Sequence, residues 1–160
     1  MFEANKALVK VQYLPNYKQI WGKLKYAYAT DAGFDLRAAI PADLVLSKDD
    51  GIKIPTGVRF EIPEGYEMQI RPRSGLATRG LIILNSPGTI DAGYRGEVHI
   101  SVMFLVQRQL APYEQHITIN PGMKIAQAIL SPITQAVFMD VDALASSERG
   151  EGGFGSTGDN

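Results

Sequence analysis

Across 160 residues, 16 lysines and arginines stand against 17 aspartates and glutamates for a net charge of −1, so no overall positive field draws the chain to a nucleic acid polymer or to anionic lipid. The length suits one well-formed core rather than two, and the absence of cysteine removes disulfides, thiol nucleophiles and thiolate metal sites. The longest apolar run, Val98 to Val106, is interrupted by His99 and Ser101 and is too short to span a bilayer, so a soluble cytoplasmic protein that binds no membrane is expected.

Alternation from Leu8 to Leu14, stopped by Pro15, predicts the first strand. Residues Tyr17 to Tyr28 mix aromatics with lysines and fit a short helix or an irregular arm, with Ile20, Trp21 and Leu24 on its apolar side. Phe34 to Ala39 reads as strand. Val58, Phe60 and Ile62 share one face of a strand by their period of two; after the turn at Pro63-Glu64-Gly65 the alternation resumes from Tyr66 to Ile70, which predicts a hairpin. Further strands are expected at Leu81 to Leu84, Val98 to Val106, Gln115 to Ile119, Ile125 to Leu130 and Ala136 to Val141. Roughly nine short strands punctuated by proline and glycine turns indicate an all-β barrel or sandwich with very little helix. Neither a dinucleotide-binding GxGxxG between strand and helix nor a Walker loop is present.

Four segments carry candidate chemistry. The tail from Arg149 to Gly158 holds five glycines in ten positions around one arginine and Phe154. Backbone N–H groups free of side-chain bulk can wrap a phosphate, a guanidinium can grip its oxygens, and a ring can cover a base. Arg71-Pro72-Arg73-Ser74-Gly75 sets two guanidiniums and a hydroxyl after an apolar strand; the proline lets the two arginines diverge, so that one reaches a ligand. Between Asn85 and Glu97 a turn-rich loop places Asp91 near Ile90 and Tyr94, a setting for a partly sheltered general base, although capping a turn N–H is an equally ordinary task for aspartate. Asp35 closes a turn or positions a water. His99 and His116 lack a matched ligand pattern for zinc.

These segments together resemble the trimeric all-β dUTP pyrophosphatases, whose motifs occur in a fixed order: Ala32 to Arg37, Pro72 to Ala77, Gly88 to Glu97, Gly122 to Gln127, and Arg149 to Gly158. The ordered set spans most of the chain and is specific, though each motif alone is weak. Lys124 stands where many members carry arginine, keeping the charge but losing the planar fork. Related dCTP deaminases differ: they carry Arg-Ser-Ser where this chain has Arg73-Ser74-Gly75, and they lack the glycine-rich tail.

The resemblance implies a distorted jelly-roll barrel over residues 1–147, with residues 148–160 as a flexible tail that closes over the site. It implies a homotrimer with active sites at subunit interfaces, and hydrolysis of dUTP to dUMP and pyrophosphate, which limits uracil entry into DNA and supplies dUMP for thymidylate synthesis. Asp91 would activate the water that attacks the α-phosphorus, and Tyr94 would pack under the deoxyribose and exclude a 2′-hydroxyl. Asn85 would read the uracil edge. Arg73, Ser74, the N–H of Gly75 and Gln127 would hold the triphosphate, with Arg149 on the outer phosphates and Phe154 on the base. Mg²⁺ would ride on phosphate oxygens and waters with no direct protein ligand, Asp35 and Lys124 supporting. A module that binds nucleotide without hydrolysing it is the alternative from a different functional class, and dUTP turnover separates the two.

Overall fold

The protein is described by a computed structural model covering residues 6–105 and 116–153. Those residues form eleven short strands, one 3₁₀ turn and one single-turn helix, the nearly helix-free architecture that the alternation predicts. Strands β1 (Lys10–Tyr13) and β5 (Val58–Glu61) pair antiparallel, as do β3 (Leu44–Ser47) and β10 (His116–Ile119). A four-stranded sheet runs β2 (Phe34–Arg37), β11 (Lys124–Pro132), β6 (Tyr66–Arg71), β8 (Gly88–Ile90); a three-stranded one runs β4 (Gly51–Pro55), β9 (His99–Phe104), β7 (Leu81–Ile83).

Period-two burial drives this arrangement. In β9, Ile100, Val102 and Phe104 point inward while His99 stays exposed; Val58 and Phe60 of β5, Met68 and Ile70 of β6, and Ile125, Ala126 and Ala128 of β11 join them in one core cluster. Burial of such side chains is worth about 1.5–3 kcal/mol each, so register is set by which face must be dry. Thr56 is fully buried yet satisfied, its hydroxyl donating to Val98 O at 2.7 Å.

Three expectations need correction. The turn after Ile62 exists, with Tyr66 N–H donating to Pro63 O and Gly65 at φ 81°. It does not close a hairpin. β5 pairs with β1, whereas β6 pairs with β11 and β8, because the turn hands the chain from one sheet to another and both strands bury their alternate residues in the same core. Second, Ala136 to Val141 forms no strand; Val137, Phe138 and Met139 are 97%, 90% and 82% exposed. A strand needs an edge to pair with, and residues 136–141 find none among the described residues of their own chain. Third, Ile20 does not join an apolar side: the Tyr17 to Tyr28 segment is the irregular arm of the two alternatives, with one 3₁₀ turn, Gln19–Trp21, and Ile20 faces outward.

Candidate active site

Strand β11 organises the first half of the site. Its Gln127 pairs with Asp35 of β2 on one side and with Arg71 of β6 on the other, so segments far apart in sequence meet across one strand. Gln127 Nε2 donates to Pro72 O at 2.9 Å, which ties down the chain just before Arg73. Gly33 makes this approach possible: a Cβ there would sit 2.9 Å from Gln127 Oε1. Arg73 and Lys124 converge on Asp35 from opposite sides, Arg73 Nε at 2.8 Å from Oδ1 and Lys124 Nζ at 2.7 Å from Oδ2. Arg73 Nη1 also donates to Lys124 O at 3.1 Å. Two cations locked on one carboxylate are pre-positioned, with surplus positive charge for a ligand.

The cavity over this cluster holds about 490 Å³ and is walled by Gly33, Asp35, Arg73, Ser74, Gly75 and Gln127 among others. The helix α1 (Ser74–Ala77) begins at its rim. The first N–H groups of a helix have no acceptor within it, and Gly75 adds no bulk, since a Cβ there would meet nothing within 4 Å. The site therefore offers backbone donors, a hydroxyl and fixed cations, which is chemistry for a polyanion. Arg71 turns the other way, onto Gln69 Oε1, so the two arginines diverge as the intervening proline allows.

Asn85, Asp91 and Tyr94 lie on another segment, around β8. The Asn85 amide folds over Gly88, where a Cβ would come within 3.0 Å of Nδ2. Asp91 follows β8 directly and is exposed in its own chain, so the shelter expected for a general base does not come from Ile90 and Tyr94. It opens a tight turn, its carbonyl accepting from Tyr94 N–H at 3.0 Å, while Tyr94 Oη donates to Glu97 O at 3.0 Å. The ring lies against Gly96, where any Cβ would collide with it. Asp91 lines a second cavity of about 670 Å³ with Gly65, Glu67 and Ile133.

The two halves are apart. Ile90 pairs with Met68, which sets Asp91 beside Glu67, whereas Arg73 continues β6 past its far end in extended conformation at φ −89°, ψ 132°. Six residues of extended chain span roughly 20 Å. Arg149 is in neither half: it sits on the exposed tail with Nε donating to Gly152 O at 2.9 Å. Phe154 falls outside the described residues.

A family model for dUTPase matches residues 20–158, nearly the whole chain. The chain belongs to the dUTPase family. The deoxyuridine 5′-triphosphate nucleotidohydrolase of Bdellovibrio bacteriovorus is 47% identical over 155 residues, covering 96% of this chain and 97% of its own. That of Chlamydia pneumoniae is 46% identical over 136 residues, 84% and 89% of the two chains. Among solved structures, the Staphylococcus bacteriophage 80alpha dUTPase with dUPNHPP superposes with a TM-score of 0.79 at 29% identity, covering 96% and 99%. A mutant dUTPase of S. aureus phage phi11, described for its coordination of a structural Mg(II) ion, gives 0.71 at 26%, covering 88% of this chain and all of its own. The all-β barrel of this dUTPase is thus of the jelly-roll type.

Glu97 has a structural task that its place in the sequence does not announce. Its Oε1 accepts from Asn16 Nδ2 and from Gly57 N–H, both at 2.8 Å, and so clamps the chain between β1 and β5 to the start of β9. No local signal marks it, since both partners are distant in sequence. Asp35 as the hub of an ion-pair triad was equally invisible, because it depends on the pairing of β11 with β2. Among the described residues no group of three or more His, Cys, Asp or Glu is placed to hold a metal, and no helix is long and apolar enough to cross a membrane.

Proposed function

We propose that this protein hydrolyses dUTP to dUMP and pyrophosphate, limiting uracil entry into DNA and supplying dUMP for thymidylate synthesis in the cytoplasm. Membership of the dUTPase family carries the reading. The pocket's chemistry supports it: Arg73 held on Asp35, the backbone donors of Ser74 and Gly75, and the Gln127 amide suit a triphosphate, with Lys124 gripping Asp35 from beside the pocket.

Asp91 takes a proton from a water as that water's oxygen attacks the α-phosphorus. The bond from that phosphorus to the bridging oxygen breaks, and pyrophosphate leaves with its electron pair. Positioned cations spread the charge that builds on the equatorial oxygens. Tyr94, stiffened by its bond to Glu97 O, packs under the sugar; Asn85 reads the uracil edge. Arg149 and Phe154, on a tail comprising residues 148–160, close over the outer phosphates and the base, excluding bulk water.

Mg²⁺ would be held through substrate phosphates and retained waters, with Asp35 in the cavity wall to support such a water. When bound, the ion neutralises phosphate charge and polarises the phosphoryl oxygens.

The working unit is a homotrimer with shared sites. Support comes from the roughly 20 Å of strand between Asp91 and Arg73, too long for one nucleotide to bring both to bear on its reacting phosphates. Further support comes from the arm at residues 136–141, apolar and unpaired among the described residues, and from β1, whose pairing is there with β5 on one side only. An arm without an edge and an edge without a partner suit exchange between neighbouring copies. Incubating the purified full-length chain with dUTP and Mg²⁺ tests the activity: dUMP and pyrophosphate in equal amounts are expected, and intact dUTP would overturn it.

A further inference from the structure

Across Asp35 from the triphosphate pocket lies a smaller cavity of about 100 Å³, lined by Lys23, Lys25, Arg37 and Lys124, with Ala27 and Asp35 shared between the two. Four cations line it against one carboxylate, and Asp35 is already engaged by Arg73 at 2.8 Å and Lys124 at 2.7 Å. The surplus charge comes from a strongly biased stretch. Residues 4–30 contain five lysines and no aspartate or glutamate, in a chain of net charge −1. Lys23 and Lys25 are exposed, and an anion in the cavity would meet cationic residues on several sides.

The wall is rigidly built, and this accounts for the arm between β1 and β2. Tyr13 and Tyr17 pack with rings tilted by 54° and centroids 4.7 Å apart, and Tyr17 meets Trp21 edge-on at 5.3 Å. Tyr17 Oη donates to Gly22 O at 2.6 Å and Leu24 N–H donates to Tyr13 Oη at 2.8 Å, so the backbone is pinned on both sides of Lys23. Burial, with a smaller push from Tyr13 and opposed by Arg37, raises the Tyr17 pKa; the hydroxyl stays a neutral donor. Trp21 presses on Gly122, which at φ 80° has no Cβ to block the indole. Arg37 Nη1 donates to Gly122 O at 2.8 Å on the same corner.

A volume of about 100 Å³ equals the liquid share of about three waters. It has room for one compact oxyanion. We propose that this cavity is an oxyanion subsite for pyrophosphate or inorganic phosphate, distinct from the triphosphate pocket and contiguous with it through Asp35. The proposal rests on the hydrolytic reading for the source of its ligand: pyrophosphate released next door has a cationic station to move to before it reaches solvent. Its hold on Arg73 is then released, and dUMP can leave.

The test uses full-length protein saturated with a non-hydrolysable dUTP analogue, which fills the main pocket. Pyrophosphate and, separately, inorganic phosphate are titrated by calorimetry and by the fluorescence of Trp21, the only tryptophan in the chain. One further site per chain is expected, weakened at least tenfold by combining Lys23→Gln with Lys25→Gln while the analogue's Kd stays within twofold. Tight binding of pyrophosphate alone identifies the released product as the ligand; equal binding of both anions identifies a general phosphate site. Absence of either anion from the filled protein, or binding indifferent to the double substitution, overturns the proposal. Failure of the analogue to bind would instead strike the dUTP reading, and the same titration of the free protein with the same variants would still decide the subsite.

Discussion

If Asp91 and Arg73 of one site come from different chains, two inactive variants should rescue each other. Asp91→Asn removes the proposed base, a loss of about 10²–10⁴ in kcat, and Arg73→Ala removes a charge-assisted contact worth about 1.5–3 kcal/mol, or roughly ten- to a hundredfold and more. The structure sets the expectation for their mixture. With about 20 Å of β6 between Glu67, beside Asp91, and Arg73, the same chain cannot supply both groups to one α-phosphorus. In trimers assembled at random from equal amounts of the two variants, a site is whole when its Asp91 comes from an Arg73→Ala chain and its Arg73 from an Asp91→Asn chain, about one case in four. Co-refolding the variants from denaturant and following pyrophosphate release should therefore recover about a quarter of wild-type activity. A site built within one chain would be whole in no case, and a mixture no more active than the mean of its parents would refute the shared-site argument.

Asp91→Asn by itself should abolish turnover while calorimetry finds dUTP affinity within about tenfold of wild type, because the amide keeps its shape but cannot accept the water's proton; near-normal turnover would place the base elsewhere. Kinetics with UTP should give kcat/KM at least about a hundredfold below that of dUTP, since the Tyr94 ring, fixed by its bond to Glu97 O, leaves a 2′-hydroxyl unpaired or displaced. Truncation after Ser147 should leave the melting temperature nearly unchanged and kcat/KM strongly reduced: the described residues beyond it are almost entirely exposed and contribute little to the core. Gly80→Ala should lower stability by about 3 kcal/mol or more in denaturant titration, as Gly80 sits at φ 92° and its Cβ would overlap Leu105 O; wild-type stability would show that this turn can shift.

Strands that bury alternate residues were readable in advance, because the pattern that made Val58, Phe60, Met68 and Ile70 apolar is the pattern that buries them. Partnership between strands was not. Pro63 to Gly65 announces a turn in composition, yet a turn is blind to whether the next strand returns to the same sheet, and here it crosses to another. β8 was hidden because three residues within a run of glycines, proline and aspartate carry no periodicity. Ala136 to Val141 has the composition of a strand, but strand formation depends on an edge that the described residues of its own chain do not offer. The family was legible as ordered motifs, while the cross-strand physics of the candidate site was not: that Asp35 would be held between Arg73 and Lys124 follows from the register of β11, and register is a property of the whole sheet.

The uncovered arm also bears on how much of the enzyme a cell must make. With Val137, Phe138, Met139 and Leu144 in water, the proposed trimer would give a newly made chain an apolar strip that waits for another copy, and by that proposal the chain has no complete site until it finds one. Activity should then grow more steeply than in proportion to chain number at low abundance, since assembly follows mass action. Trace expression would leave stray protomers open to proteases and self-association, whereas a modest rise in synthesis would convert them together into working enzyme, making abundance itself a threshold control on dUTP hydrolysis.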